Sequence, residues 1–121
     1  MKKTFWWGLS FLIAIGLIFY VSLMPGKLDD FAKCLTEKGA VMYGAYWCPH
    51  CQEQKALFGK SWDIVTYVEC SLPNAAGQTQ ECIEKGIKSY PVWEFSDKSR
   101  ISSLLGLEQL AEFTGCKLSQ D

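Results

Sequence analysis

The sequence of 121 residues has no cluster of lysine or arginine and contains a single histidine, His50. Its formal net charge is −1, and residues 27–121 carry 10 basic and 13 acidic groups. Proteins that bind nucleic acid present a basic patch to the phosphates, so this mildly acidic chain is not expected to bind nucleic acid. The sequence also lacks internal repeats and low-complexity segments, and its length suffices for one small domain.

Charged residues are also missing between Lys3 and Lys27, where an apolar run covers residues 5–24. A helix of that length spans roughly 30 Å, the thickness of the hydrocarbon core of a bilayer, so the run predicts a transmembrane helix. Lys2 and Lys3 precede the run, which predicts a cytoplasmic N-terminus by the positive-inside rule. No small-x-small cleavage site follows, which favours a membrane anchor over a cleaved signal peptide; both interpretations export the rest of the chain.

We therefore divide the chain into an N-terminal membrane anchor, residues 1–26, and an exported domain, residues 27–121. Hydrophobic periodicity in the exported domain predicts elements in the order α, β, α, β, α, β, β, α. Their predicted positions are 27–38, 40–45, 49–58, 64–69, 78–85, 92–95, 100–102 and 107–114. Such alternation indicates an α/β fold with a parallel core, to which the last hairpin adds an antiparallel edge.

Two of the six cysteines, Cys48 and Cys51, are separated by Pro49 and His50 at the predicted start of a helix. Proline suits the first helical position, which leaves Cys48 beside the unpaired N–H groups and the positive end of the helix dipole. A thiolate is the nucleophile in disulfide exchange, so Cys48 is predicted to attack and to carry the mixed disulfide. Cys51, one turn further along, is predicted to resolve that disulfide, and His50 to tune the pair.

Other uses of the cysteine pair are disfavoured by what is missing around it. A zinc site would need two further ligands, and the chain has no second Cys-x-x-Cys and no histidine besides His50. Covalent haem attachment needs a histidine directly after the second cysteine, where this chain has Gln52. We expect redox catalysis without a metal or an organic cofactor, and a non-catalytic metal-binding or assembly module is the alternative from a different class.

The other four cysteines allow further bridges in an oxidising compartment. Cys70 ends a predicted strand and Cys82 lies on a predicted helix, so we predict a disulfide between them that is chiefly structural. A redox relay through this pair is the alternative. Cys34 and Cys116 lie on predicted helices at the two ends of the domain. They either form a third bridge or are two free thiols, and the sequence leaves both alternatives open.

The residues around the first pair resemble a known family. Trp47 to Cys51 after an apolar strand, with Pro91 before another strand, resembles the thioredoxin superfamily. The sequence is more specifically similar to the thioredoxin-like domain fused to vitamin K epoxide reductase (VKOR) homologues of photosynthetic organisms, in the stretches 43–59, 67–70, 86–93 and 107–115. The resemblance covers residues 28–116. It implies the thioredoxin fold, in which helices flank a central four-stranded mixed sheet.

The resemblance also implies how the protein works. The Tyr90–Pro91 peptide bond would be cis, and Trp47, Tyr90 and Pro91 would bind substrate near the two sulfurs. Its partners would be exported proteins with cysteine thiols and a quinone-linked membrane oxidase of the VKOR or DsbB type. This sequence contains one membrane segment and not a four-helix oxidase, so the oxidase is expected to act in trans.

Two details bear on the chemistry that the resemblance implies. Met42 occupies the position, six residues before Cys48, where thioredoxins commonly have a buried acid, so proton transfer at Cys51 requires another group, either Glu53 or water. The Pro-His pair between the cysteines is that of the strongly oxidising DsbA, and stabilising a reduced thiolate makes the disulfide a better oxidant. We expect oxidation of substrate thiols in the periplasm or thylakoid lumen, with a disulfide reductase or isomerase as the alternative.

Overall fold

The computed structural model of the protein describes residues 2–119. Its first helix, α1 (Lys2–Leu23), contains the apolar run and buries none of its residues against the rest of the protein. Within residues 2–119 it is the one helix that is long and apolar enough to cross a membrane. It agrees with the helix predicted from the apolar run, although it begins three residues earlier and ends one residue earlier.

A four-stranded mixed sheet forms the centre of the remaining domain. The strands are β1 (Val41–Gly44), β2 (Tyr67–Glu69), β3 (Val92–Glu94) and β4 (Arg100–Ile101), in the spatial order β2-β1-β3-β4. β1 pairs with β2 in parallel, and β3 is antiparallel to both β1 and β4. The predicted α/β class and mixed sheet are confirmed. Only β1 and β2 are parallel, so the parallel part of the sheet is smaller than predicted. After β2 the chain crosses to the other side of β1, where β3 runs in the opposite direction.

The strand predicted at 64–69 is shorter than expected. A 3-10 helix, Gly59–Ile64, occupies its predicted start, and the Val65 N–H bonds to the Trp62 carbonyl at 2.9 Å. The Ile64 carbonyl accepts a 2.8 Å hydrogen bond from Thr36 Oγ1 and is therefore engaged by a neighbouring helix. These local and tertiary bonds override the β propensity of this stretch.

Four further helices surround the sheet: α2 (Asp29–Glu37), α3 (Pro49–Phe58), α4 (Gln80–Glu84) and α5 (Leu107–Thr114). Successive side chains of β1 point to opposite faces of the sheet, so Met42 and Tyr43 belong to two separate apolar clusters. The Met42 cluster includes buried residues of α2, α3 and α5, whereas the Tyr43 cluster includes Cys82 of α4. The helix that carries the Cys-x-x-Cys pair therefore packs on the face covered by three helices.

A buried glutamine connects α3 to the sheet. Gln54 is fully enclosed, and its Oε1 accepts hydrogen bonds from Trp93 Nε1 at 3.1 Å and from the Leu105 N–H at 2.8 Å. Its Nε2 donates to the Leu105 carbonyl at 2.9 Å. Buried polar groups are stable when they are hydrogen-bonded in this way, so the bonds of Gln54 fix how α3 sits against β3.

Two disulfides link the outer elements. Cys34 on α2 is bonded to Cys116, which joins the two ends of the domain that follows α1 across 82 residues of sequence. Cys116 lies after the end of α5 at Gly115, and not on that helix as predicted. Cys70, directly after β2, is bonded to Cys82 on α4, 12 residues away. Cys34 and Cys116, for which the sequence left both a bridge and two free thiols open, are thus bonded. Cys70 and Cys82, for which the sequence predicted a bridge, are bonded as well.

Candidate active site

Cys48 and Cys51 lie at the start of α3, where the sequence predicts them. Cys48 is the N-cap residue and Pro49 the first helical residue, and the Cys51 N–H donates a 3.3 Å hydrogen bond to Cys48 Sγ. Pro49 has no N–H to leave unpaired at this position. Cys48 retains 5 % of its residue surface and Cys51 none, so the first cysteine is the more accessible of the two, although both are buried.

Both residues carry free thiols in this structure, whereas Cys34, Cys70, Cys82 and Cys116 are bonded. Burial raises the pKa of the Cys51 thiol to about 12, with a further contribution from its hydrogen bond to Cys48. A backbone hydrogen bond from Ala45 and the charge of Lys55 act in the opposite direction. Cys51 is therefore protonated near neutral pH and must lose a proton before it can attack a disulfide.

The loop in front of the cysteine pair is held by the segment that follows β2. Glu69 Oε1 accepts hydrogen bonds from the N–H groups of Tyr46 at 3.1 Å and Ser71 at 3.0 Å. Trp47 Nε1 donates to Ser71 Oγ at 2.8 Å. Because Ser71 directly follows Cys70, the Cys70–Cys82 disulfide supports the segment that positions Trp47. None of these contacts has a signal in the sequence pattern, since they depend on how β2 sits beside β1.

A groove lies between the start of α3 and the segment that precedes β3. The Tyr90–Pro91 peptide bond is cis, and the Tyr90 ring meets the Trp47 ring edge-on with centroids 5.9 Å apart. Tyr90 Oη accepts a 2.9 Å hydrogen bond from Gln78 Nε2. The groove has a volume of about 410 Å³, and its lining includes His50, Glu53, Tyr90, Pro91, Ser102 and Leu104. The predicted substrate-binding residues Trp47, Tyr90 and Pro91 are thus neighbours.

His50 and Glu53 lie together on the outer side of α3. Their side chains are 69 % and 63 % exposed, and His50 Nδ1 is 3.8 Å from Glu53 Oε2. The Glu53 carboxylate is therefore directed to solvent and to His50. We do not assign it the proton transfer at Cys51, which is enclosed. The tuning role of His50 stays a prediction. Within residues 2–119, no three His, Cys, Asp or Glu side chains are grouped as a metal site.

Sequence reasoning missed three residues beside Cys51. A Cβ atom at Gly44 would lie 3.0 Å from both Cys51 Sγ and Tyr67 Cε2, so a glycine is needed for the close approach of α3 to β1. Lys55 lies with its Nζ 4.1 Å from the centroid of the Tyr67 ring. The spacing of four residues between Cys51 and Lys55 on one helix could have indicated that the two side chains lie on the same face. The position of Tyr67 had no such signal, because it depends on the register of β2 against β1.

The chain is similar to thiol-disulfide oxidoreductase LTO1 of Arabidopsis thaliana, with 41 % identity over 93 residues. The match covers 74 % of this chain and 24 % of LTO1, so the chain spans about a quarter of the length of that relative. No protein-family model matches the chain. Together with the fold and the cysteine geometry, the similarity supports a thioredoxin-like redox protein.

Proposed function

We propose that the protein is a thiol-disulfide oxidoreductase in which Cys48 exchanges disulfides with the substrate and Cys51 resolves the mixed disulfide. The observation that carries this proposal is the unequal burial of two free thiols at one helix start. Cys48 retains a small exposed fraction at the N-terminus of α3, and Cys51 lies fully enclosed one turn behind it. An attacking thiol needs access and a stabilised thiolate, whereas a resolving thiol needs proximity.

The reaction begins with the oxidised pair. A substrate thiolate attacks Cys48 Sγ, the Cys48–Cys51 bond breaks, and Cys51 leaves as a thiolate that takes up a proton. A second substrate thiolate then attacks the substrate sulfur bonded to Cys48, which releases the substrate disulfide and leaves Cys48 as a thiolate. Two electrons pass from the substrate to the cysteine pair. A partner disulfide reoxidises the pair by the same steps in reverse.

The groove beside Pro91 is the proposed substrate-binding site. Trp47 and Tyr90 form an aromatic wall at one end, and the lining continues with Pro91 and Leu104. Aromatic and apolar surface of this kind binds the side chains of a peptide, while polar groups at the rim orient it. We propose that an extended segment of a substrate protein lies here, with its cysteine at Cys48.

The direction and the place of the reaction form the finer part of the proposal. The protein oxidises thiols of exported proteins and passes the electrons to a VKOR- or DsbB-like quinone-linked membrane oxidase. Helix α1 anchors it with the N-terminus in the cytoplasm, and residues 27–121 face the periplasm or thylakoid lumen. Support comes from the length and apolar character of α1, from Lys2 and Lys3 before its apolar run, and from two disulfides, which persist in oxidising compartments.

Trapping of mixed disulfides tests the exchange. In a Cys51→Ser variant of the full chain, we expect the Cys48 thiolate to attack disulfides of exported proteins and the resulting mixed disulfides to accumulate, because the resolving thiol is gone. Non-reducing gels of membranes from expressing cells should show these adducts, and a reductant should remove them. The matched control adds Cys48→Ser to the same chain and should show none. Adducts that persist in the control, or their absence from both variants, would remove the basis of the proposal.

A further inference from the structure

Cys51 is enclosed without a carboxylic acid at the position where Met42 lies. It has no exposed surface, and the β1 residues beside it, Met42 and Gly44, carry no charge. A side-chain charge that acts on this sulfur therefore comes from an element other than β1. In a water-poor environment a single fixed charge has a large effect on the free energy of a neighbouring thiolate.

Three ionisable groups surround this sulfur. Cys48 and Lys55 belong to α3, and Tyr67 belongs to β2, whose register places it beside Met42. Lys55 follows Cys51 by four residues and so lies one helical turn further along the same face. Glu69, the other ionisable residue of β2, accepts hydrogen bonds from Tyr67 Oη at 2.6 Å and from two backbone N–H groups. The carboxylate of Glu69 is thus engaged by the loop and by the tyrosine.

The ring of Tyr67 lies between the glycine and the lysine. Its Cε2 atom and Cys51 Sγ each lie 3.0 Å from the place that a Cβ of Gly44 would take, so ring and sulfur are close neighbours. Lys55 Nζ is 4.1 Å from the ring centroid, within the range of a cation–π contact. The ring is packed against Gly44 and Cys51, and its face is the contact for the ammonium group of Lys55.

We propose that Lys55, held on the ring of Tyr67, is the positive charge that stabilises the Cys51 thiolate in the resolving step, and that Tyr67 is its positioning residue. The inference rests on the proposed function. It assigns the stabilisation of the Cys51 thiolate to Lys55 and Tyr67. Met42 cannot do this because it carries no charge, and the Glu53 carboxylate is exposed to solvent.

With Cys48 bonded to a second sulfur, Cys51 loses its proton and attacks Cys48 Sγ. The bond between Cys48 and the second sulfur breaks, and the Cys48–Cys51 bond forms. The leaving thiolate takes up one proton, so that the proton lost by Cys51 is recovered on the product. Two electrons leave the cysteine pair with the departing thiolate. Lys55 contributes charge throughout and exchanges no proton.

Rapid mixing of the reduced full chain in detergent with dithionitrobenzoate separates the two attacks by nitrothiobenzoate absorbance. The first phase, attack by Cys48, depends on reagent concentration; the second, attack by Cys51, does not. In Lys55→Gln we expect a second phase about fivefold slower, because loss of the positive charge lowers the fraction of Cys51 that is present as thiolate. The greater nucleophilicity of the remaining thiolate offsets only part of this loss. The first phase should be unchanged, which also shows that the variant is folded. Below the pKa of Cys51 the second phase should accelerate with pH in every variant.

Three further variants separate charge, ring and hydroxyl. Lys55→Arg keeps the charge and Tyr67→Phe keeps the ring, so both should keep the second phase within about twofold. Tyr67→Leu removes the ring and should slow it, as Lys55→Gln does. A second phase that is unchanged in Lys55→Gln would overturn the inference, and one that is slowed in Tyr67→Phe would assign the step to the hydroxyl and overturn it too. Absence of a second phase in the unaltered protein would overturn the proposed function itself.

Discussion

Replacing Cys48 by serine should abolish thiol-disulfide exchange, with a loss of about 10³-fold or more in rate. The hydroxyl of serine is not ionised at neutral pH and cannot form the mixed disulfide. The sulfur of Cys51 cannot take over, because it has no exposed surface and its pKa is raised to about 12. The measurement is the oxidation of a fluorescent test peptide with two cysteines by the full chain in detergent, with oxidised glutathione as the electron acceptor.

Two variants make this result specific. Cys51→Ser cannot form the disulfide that oxidises the peptide and should show no turnover, whereas its Cys48 thiolate should still form a mixed disulfide with added oxidised glutathione, releasing one glutathione thiol. Glu112→Ala, at an exposed position of α5 outside the groove lining, should keep the activity of the unaltered protein within about twofold. If Cys48→Ser retained more than a tenth of the activity, another thiol would carry the exchange and the assignment of Cys48 would be wrong.

Loss of the Cys34–Cys116 disulfide should have the largest effect on stability. This bridge closes 82 residues of sequence and the Cys70–Cys82 bridge closes 12. Cross-linking restricts the unfolded chain more when the closed loop is longer, by about 4–5 kcal/mol for the first bridge and about 3 kcal/mol for the second. A domain of this size has a total free energy of unfolding of roughly 5–15 kcal/mol, so the first loss leaves little stability.

Urea unfolding of the full chain in detergent, followed by tryptophan fluorescence, measures both losses. The Cys34→Ala/Cys116→Ala variant should unfold at the lowest urea concentration, and the Cys70→Ala/Cys82→Ala variant should lie between it and the unaltered protein. Alanine is preferred to serine, because Cys116 is 4 % exposed and Cys70 and Cys82 are fully buried. Equal midpoints for all three proteins would show that the bridges do not stabilise the fold.

The order of elements could be predicted because each has a local cause in the sequence. α2 follows from its apolar residues Phe31, Ala32 and Leu35, which are all buried, and α3 begins at a proline as expected. The start of β2 was wrong, because the Ile64 carbonyl bonds to Thr36 of another helix. The helical assignment of Cys116 was wrong because α5 ends at Gly115, whose left-handed φ of 75° terminates it.

The cysteine pair of the site could likewise be predicted, because its spacing and its proline act within one helix turn. The groups around Cys51 could not, since they come together through the register of β2 against β1. Tyr67 lies opposite Met42 in that register, which brings its ring to Gly44 and to Lys55. Gln54 illustrates the same limit: it stands in a polar stretch of α3, and its full burial depends on Trp93 and Leu105.

The most direct test of the central claim is a redox titration of the full chain in detergent. The protein is equilibrated with glutathione buffers of graded ratio, its thiols are alkylated, and each cysteine is identified by mass spectrometry. We expect Cys48 and Cys51 to change together in a single two-electron transition while the other four cysteines stay bonded. The midpoint should lie nearer about −120 mV, as in DsbA, than about −270 mV, as in thioredoxin. A midpoint near −270 mV would reverse the proposed direction. Thiols at Cys48 and Cys51 under every condition would contradict the claim itself.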